Sequence, residues 1–360
     1  MDTVQLDPAL ALDARPADAV VIGAGQAGLS SAYFLRRFGL DTVVLDAEDG
    51  PGGAWRHRSP SLTMDKIHGI FDLPGVRREA EPAFTARARD VVPAYYAEYE
   101  REAGLDVVRP VKVGAVSEGP DDRLLVSAGE RRWAARAVVN ASGTWARPHW
   151  PYYPGAAAFL GRQTHYAAYR GPEPYAGLRV AVVGGGASAA HVLSELAGVA
   201  AATLWMTRRP VEWRDDDFGE EARRDAVALV ERRVRAGLPP RSVVSVTGLS
   251  RTGVVRTALA KGALDRQEMF TRLTPDGASW ADGRHERLDA IVWATGFRSA
   301  LGHLAPLRLR EPGGGIRVDG TRVLREPRLH LVGYGPSAST VGANRAGRAA
   351  ALAVRELLTG

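Results

Sequence analysis

Val20, Val21 and Ile22 form an unbroken apolar run that stops at Gly23, and Leu29, Ala32, Tyr33 and Leu35 follow at helical spacing. A short apolar run reads as a buried strand and the three-to-four spacing as a helix packed on it. The pattern predicts a helix over 26–38 with Gly39 as its C-cap, then a second strand over 42–45. The same order returns later: an apolar strand over 179–183, glycines at 184, 185 and 186, a helix to about 196, and a strand over 203–206.

Between and after these units the pattern predicts a helix over 88–103 stopped by Gly104, extended chain through Val107, Val108, Val111, Val113 and Val116, and a hairpin of 123–127 with 132–139. A charged helix over 222–234 carries Ala226, Leu229, Val230 and Val234 on one face. Strand-like runs follow at 243–246, 289–293 and 329–332, and a last helix spans about 344–358. Strands alternating with helices define an α/β protein. Residues 1–17 carry no periodic signal and read as a mobile leader.

Composition narrows the class. Hydrophobic residues make up 45% and charged residues 24% of the 360 positions, ordinary for a globular chain. No apolar run reaches the roughly 18 residues that a membrane span requires, and the amino terminus lacks the basic-then-apolar order of a signal peptide, so a cytoplasmic protein without membrane attachment is expected. The net charge of +6 is spread along the chain without interleaved aromatics, which argues against nucleic acid and is consistent with phosphate-bearing cofactors. Cysteine is absent, which removes disulfides, thiolate metal sites and a redox-active cysteine pair; no metal site is expected.

The two glycine turns carry the chemistry. Gly23 permits a tight turn, Gly25 lets the backbone approach a pyrophosphate, and Gly28 lets the helix pack on the strand. Phosphate would meet free N–H groups at the helix start. Asp46 closes the second strand, where an acid accepts hydrogen bonds from a ribose. In the second turn, Gly184, Gly186 and Ala189 give the G-x-G-x-x-A variant, and Arg208 and Arg209 stand where the acid would be. Guanidinium groups bind a 2′-phosphate that an acid repels, so this site reads as NADPH-binding. Two strands also open into small-residue turns, at Ser142-Gly143 and at Thr295-Gly296, and a third glycine turn, Gly333 to Gly335, precedes the last helix. His68 lies in an irregular polar stretch without a visible partner.

The order of five elements resembles class B flavin-dependent monooxygenases, the family of flavin-containing and Baeyer-Villiger monooxygenases, over residues 19 to about 357. They are the first fingerprint, Gly52-Gly53-Ala54-Trp55-Arg56, the run from Phe159 through Gly161 and His165 to Tyr169, the second fingerprint, and Ala294-Thr295-Gly296-Phe297. The resemblance implies two Rossmann-like domains, an NADPH domain over 170–287 inserted into a discontinuous FAD domain over 18–165 and 288–360. It places Gly23, Gly25, Gln26, Ala27 and Gly28 on the FAD pyrophosphate, Asp46 on its ribose, and Gly53, Ala54, Trp55 and Arg56 along the flavin side. Val113, Gly143, Thr295, Gly296 and Gly335 complete the cofactor contacts. Gly184, Gly186, Ala187, Ser188, Ala189, Arg208 and Arg209 hold NADPH. His165 is the candidate catalytic residue, with a hinge or packing role as its alternative.

The implied reaction consumes NADPH and O2 and passes one oxygen atom from a flavin C4a-hydroperoxide to a small organic substrate. In the Baeyer-Villiger subgroup the run ends in Trp followed by Pro or Asp. Here Tyr169-Arg170 follows, which favours a nitrogen or sulfur atom over a ketone. The alternatives are an NADPH-dependent flavin reductase or electron-transfer oxidoreductase, and a non-catalytic flavoprotein that binds partners. The length approaches that of thioredoxin-reductase-like flavoproteins, whose disulfide chemistry the missing cysteines exclude.

Overall fold

The computed structural model describes residues 14–67, 71–78, 81–214, 220–240, 248–338 and 340–360, without the side chains of 220–227 and 340–341. Its first sheet contains β1 (Arg15–Ile22), β2 (Thr42–Leu45), β3 (Val107–Val108), β4 (Ala115–Glu118), β5 (Leu124–Ala128) and β6 (Arg131–Asn140). The parallel centre runs in the order Leu329–Leu331, β6, β1, β2, β3. The expected hairpin is present as antiparallel β5 and β6, with β4 paired to β5.

Both faces of this sheet are covered, as a parallel sheet requires. Ala19 and Val21 point into a cluster with Leu29, Leu35, Tyr96, Tyr99 and Val354. Val20 and Ile22 point the other way, against Val116, Val126, Leu304 and Ile316. The first face is closed by α1 (Gln26–Arg37), α2 (Ala88–Glu102) and the helix Thr340–Thr359. Gly347 allows that last helix to approach α1: a Cβ there would lie 2.6 Å from Ser30 Oγ.

A second, wholly parallel sheet holds β7 (Arg162–His165), β8 (Arg179–Val183) and β9 (Ala202–Thr207) with Arg266–Glu268 and Ala290–Trp293. Its order is Arg266–Glu268, β9, β8, Ala290–Trp293, β7. The helix α3 (Ala187–Leu196) follows β8, and α4 (Glu220–Arg235) packs Val230 and Val234 inward.

The structure differs from the sequence expectations in specific places. β1 starts at Arg15, inside the expected leader, because Arg15, Pro16 and Ala17 pair with Trp133, Ala134 and Ala135. Strands Arg162–His165 and Ala290–Trp293 pair with each other and lie in the second sheet, whereas the expected bounds 18–165 and 288–360 take them into the FAD domain. The last helix begins at Thr340, and Leu229 faces solvent. The expected strand over 243–246 and His68 lie outside the described residues. Among the described residues no helix is long and apolar enough to cross a membrane.

Two histidines packed against the first sheet are held uncharged. Burial pushes His303 down to about 4, and its Nε2 faces Asn140 Oδ1 at 2.7 Å. Burial, with Arg322 nearby, pushes His330 down to about 4, and its Nδ1 meets Thr321 Oγ1 at 3.0 Å. An imidazole freed by unfolding titrates near 6.5. Unfolding therefore takes up protons below that pH, and stability falls as pH drops toward 4, by roughly 1.4 kcal/mol per pH unit for each fully shifted group. Urea unfolding midpoints should drop from pH 7 to pH 5, and His330→Gln should flatten that slope. A midpoint independent of pH over this range contradicts the assignment.

Candidate active site

Strand ends in register build the site. Ile22 pairs with Leu45 and Asn140, and Leu331 pairs with Asn140, so Gly23, Asp46, Ala141 and Val332 leave the first sheet along one edge. Val183 pairs with Met206 and Trp293, and Trp293 pairs with His165, so Gly184, Thr207, Ala294 and Tyr166 leave the second sheet likewise. Open parallel sheets take ligands beyond this edge.

At the first turn, Gly23 has φ +101°, and a Cβ there would sit 2.7 Å from Ala141 O. A Cβ on Gly28 would sit 1.8 Å from Gly23 O, which fixes how closely α1 meets the strand. One on Gly25 would meet nothing within 4 Å. Gly25 also caps α1 without a side-chain hydrogen bond, and no acid stands in the first turn. Gly53, at φ +50°, rests on this turn: its Cβ would lie 3.1 Å from Gly25 Cα. The second turn repeats the arrangement. Gly184 has φ +147° with a Cβ position 2.2 Å from Ala294 O, Gly186 is open, and Gly186 caps α3 without a side-chain hydrogen bond. Ala187, Ser188 and Ala189 form the first turn of α3, and Gly143 and Gly296, both at positive φ, have open space around them.

Asp46 is buried, and one of its oxygens accepts from Arg109 Nε at 3.1 Å. Arg109 also donates twice to Glu100, at 2.7 Å each. Arg56 is turned into its own loop, where it pairs with Asp49 and donates to Pro51 O. Gln26 Nε2 donates to Asn344 Oδ1, which brings the last helix to the start of α1, where Ala27 follows. Val113 is buried in the core, and Gly335 is buried with its Cβ position 3.1 Å from Val234. Ala54 lies in the short helix Gly53–His57 with Trp55.

Arg208 and Arg209 are exposed at the end of β9, and among the described residues no carboxylate lies within ion-pair reach of either. Thr207 holds this bend, donating to Arg209 O at 2.6 Å and accepting from Arg266 Nε at 2.8 Å. The local field is positive: burial, then Arg298 and Arg208, push His149 below its ordinary range.

The two edges meet. Ser142 Oγ donates to Ala300 O at 2.7 Å, Ala300 N to Gly143 O, and His149 N to Gly296 O. Thr295 Oγ1 donates to His149 O. Trp145, two residues after Gly143, stacks on Phe297, next to Gly296, with centroids 4.8 Å apart. His165 is buried beside this stack. Its Nδ1 accepts from Ala167 N, which leaves Nε2 to donate to Gly296 O, both at 3.1 Å. Burial lowers its proton affinity. Both ring nitrogens are thus committed to backbone, which holds β7 against the Gly296 turn.

Sequence reasoning missed a polar chain beside the stack. Glu195 of α3 accepts from Lys66 at 2.8 Å, Ser61 at 2.8 Å and Tyr169 at 3.0 Å, and meets His191 Nε2 at 3.0 Å. Burial opposes its charge, but the His191, Lys66 and Ser61 contacts hold the carboxyl down to about 2. Tyr166 OH meets His191 Nδ1 at 3.3 Å. Only the i, i+4 spacing of His191 and Glu195 was visible in the sequence.

The family model for pyridine nucleotide-disulphide oxidoreductases matches residues 20–312, and the chain belongs to this family. Within it, the chain is an FAD- and NADP(H)-dependent oxidoreductase of the class B flavin-monooxygenase type. A solved flavin-containing monooxygenase from Stenotrophomonas maltophilia is 39% identical, covers 96% of this chain and 98% of that one, and superposes with a TM-score of 0.81. Indole-3-pyruvate monooxygenase YUCCA1 of Oryza sativa subsp. japonica is 28% identical over 318 residues, 78% of this chain and 77% of that protein. Ferredoxin–NADP reductase 1 of Cupriavidus taiwanensis is 29% identical over 308 residues, 84% of this chain and 78% of that protein.

The glycine geometry separates packing from binding. Gly28→Ala forces its methyl into Gly23 O and should lower stability by about 1–3 kcal/mol as overpacking does. Gly25→Ala adds its methyl to open space and should leave the stability of FAD-free protein unchanged while weakening FAD retention. Thermal unfolding of both variants with and without FAD checks this; equal loss of FAD-free stability in the two contradicts it.

Proposed function

We propose that the chain oxygenates the nitrogen or sulfur atom of a small organic substrate, with FAD on the first glycine turn and NADPH on the second. The observation that carries the reading is the duplicated open turn, Gly25 and Gly186, on two edges laced together through Trp145 and Phe297. The Gly23–Gly28 turn would hold FAD, which would supply the redox chemistry: acceptance of hydride from NADPH and activation of O2 for transfer of one oxygen atom to a soft nucleophile.

The residues serve binding and exclusion of water. The uncapped amides of α1 and α3 receive the two diphosphates. Asp46, held by Arg109, accepts from the ribose of FAD. Arg208 and Arg209 receive the 2′-phosphate of NADPH, since neither has an ion-pair partner of its own among the described residues. Trp145 and Phe297 keep the meeting point of the cofactors apolar, which protects a reactive oxygen species from water. His165 positions the Gly296 turn and moves no proton. On this reading the FAD domain is the first sheet with its helices, and the NADPH domain is the second sheet, including β7 and Ala290–Trp293.

Tyr169 in place of Trp supports nitrogen or sulfur over ketone oxidation. Electron transfer without oxygenation is the second reading, favoured by the similarity to the ferredoxin–NADP reductase of Cupriavidus taiwanensis.

Aerobic turnover with NADPH and a panel of a thioether, a tertiary amine and a cyclic ketone separates the readings. Sulfoxide or N-oxide should form in proportion to NADPH consumed. Lactone from the ketone alone overturns the atom preference, and hydrogen peroxide equal to NADPH with no organic product overturns oxygenation. Arg208→Ala with Arg209→Ala should raise KM for NADPH about 10- to 100-fold and barely change that for NADH. An equal change for both cofactors contradicts the phosphate assignment.

A further inference from the structure

Arg58 belongs to the chain segment that follows the Gly53–His57 turn, yet it reaches the second cofactor edge. Its guanidinium lies 4.4 Å from the centroid of Trp145 and 5.2 Å from that of Trp55. No carboxylate among the described residues pairs with it, and its buried Nε has no hydrogen-bond partner. Among the described residues Tyr166 is the polar side chain set electrostatically against it, and Tyr166 also lies near Ser188 in the first turn of α3 while its hydroxyl meets His191 Nδ1 at 3.3 Å. The guanidinium is thus set against two indole rings, and among the described residues no carboxylate neutralises its charge.

We propose that Arg58 is a cross-domain phosphate ligand: it contacts the diphosphate bridge of NADPH, on the side of the nicotinamide half, as that bridge lies on the Gly186–Ser188 amides. The inference rests on the reading that the second turn holds NADPH and adds that a residue of the flavin-side loop completes the site. Three features carry it. Tyr166 lies against both Arg58 and Ser188, which relates the guanidinium to the start of α3. Trp145, which stacks on Arg58, also stacks on Phe297 beside the Gly296 turn, so the cation stands where the two edges cross. An unpaired, partly desolvated guanidinium is a strong site for a phosphate oxygen and an unfavourable one for anything neutral. Binding NADPH then ties the flavin-side loop to the second sheet, which holds the nicotinamide end in place against the flavin.

Isothermal titration with NADP+ and with adenosine 2′,5′-bisphosphate, which keeps the 2′-phosphate but lacks the nicotinamide half, tests this on the FAD-loaded protein. Arg58→Met should weaken NADP+ binding about tenfold or more and leave the bisphosphate within about twofold. Tyr166→Phe, which frees Arg58 without removing its charge, should give a smaller loss with the same ligand preference. Arg58→Lys should recover part of the NADP+ affinity lost in Arg58→Met. Unchanged NADP+ affinity in Arg58→Met, or equal loss for both ligands, overturns the role of Arg58 while the second-turn reading stands. Wild-type protein that binds neither ligand overturns that reading and this inference together.

Discussion

Two backbone carbonyls set the geometry on which the site depends. Ala141 O lies under Gly23 and Ala294 O under Gly184, each closer to the glycine than any side chain permits. In both cases the neighbouring parallel strand ends one residue before the carbonyl, so the glycine turn and the small-residue turn are forced to the same height above the sheet. The open amides of α1 and α3 follow from this contact, because each helix is capped by a glycine two residues beyond its crowded one. The arrangement is made once in each sheet and needs no side chain at the point of contact.

Side chains then decide how the two edges face each other. Trp145 and Phe297 stack at 4.8 Å, and the hydrogen bonds among Ser142, Gly143, His149, Gly296 and Ala300 run across the same gap. A few residues away, Glu195 draws Lys66 and Ser61 of the first unit onto α3. The junction therefore presents stacked rings where the rings of two cofactors would meet, with the Arg58 guanidinium against Trp145, and is ionic at its flank. That division suits hydride transfer, which needs contact between rings and little water.

The glycine turns were legible because steric demands leave few residue choices: Gly23, Gly28 and Gly184 each face a backbone oxygen within 3 Å of where a Cβ would be. The cation pair Arg208-Arg209 was legible from its position after a strand. Other features carried no periodic signal. Arg162, Gln163 and Thr164 are polar because β7 is an edge strand, so its membership in the second sheet was hidden. Arg15 and Pro16 look like a leader and are paired with Trp133 and Ala134. Arg56 reads as a flavin-side cation from its place in a motif; the fold pairs it with Asp49, and among the described residues Arg58, set against two indoles, has no carboxylate partner. Spacing alone does not distinguish two arginines two residues apart.

The central claim is that both dinucleotide turns work as one redox unit. Anaerobic titration of the purified FAD-bound protein with NADPH tests it most directly, read by the visible flavin absorbance. The account predicts complete bleaching with one equivalent of NADPH per flavin. A flavin band that persists through excess NADPH, in protein that still binds NADP+, would contradict it.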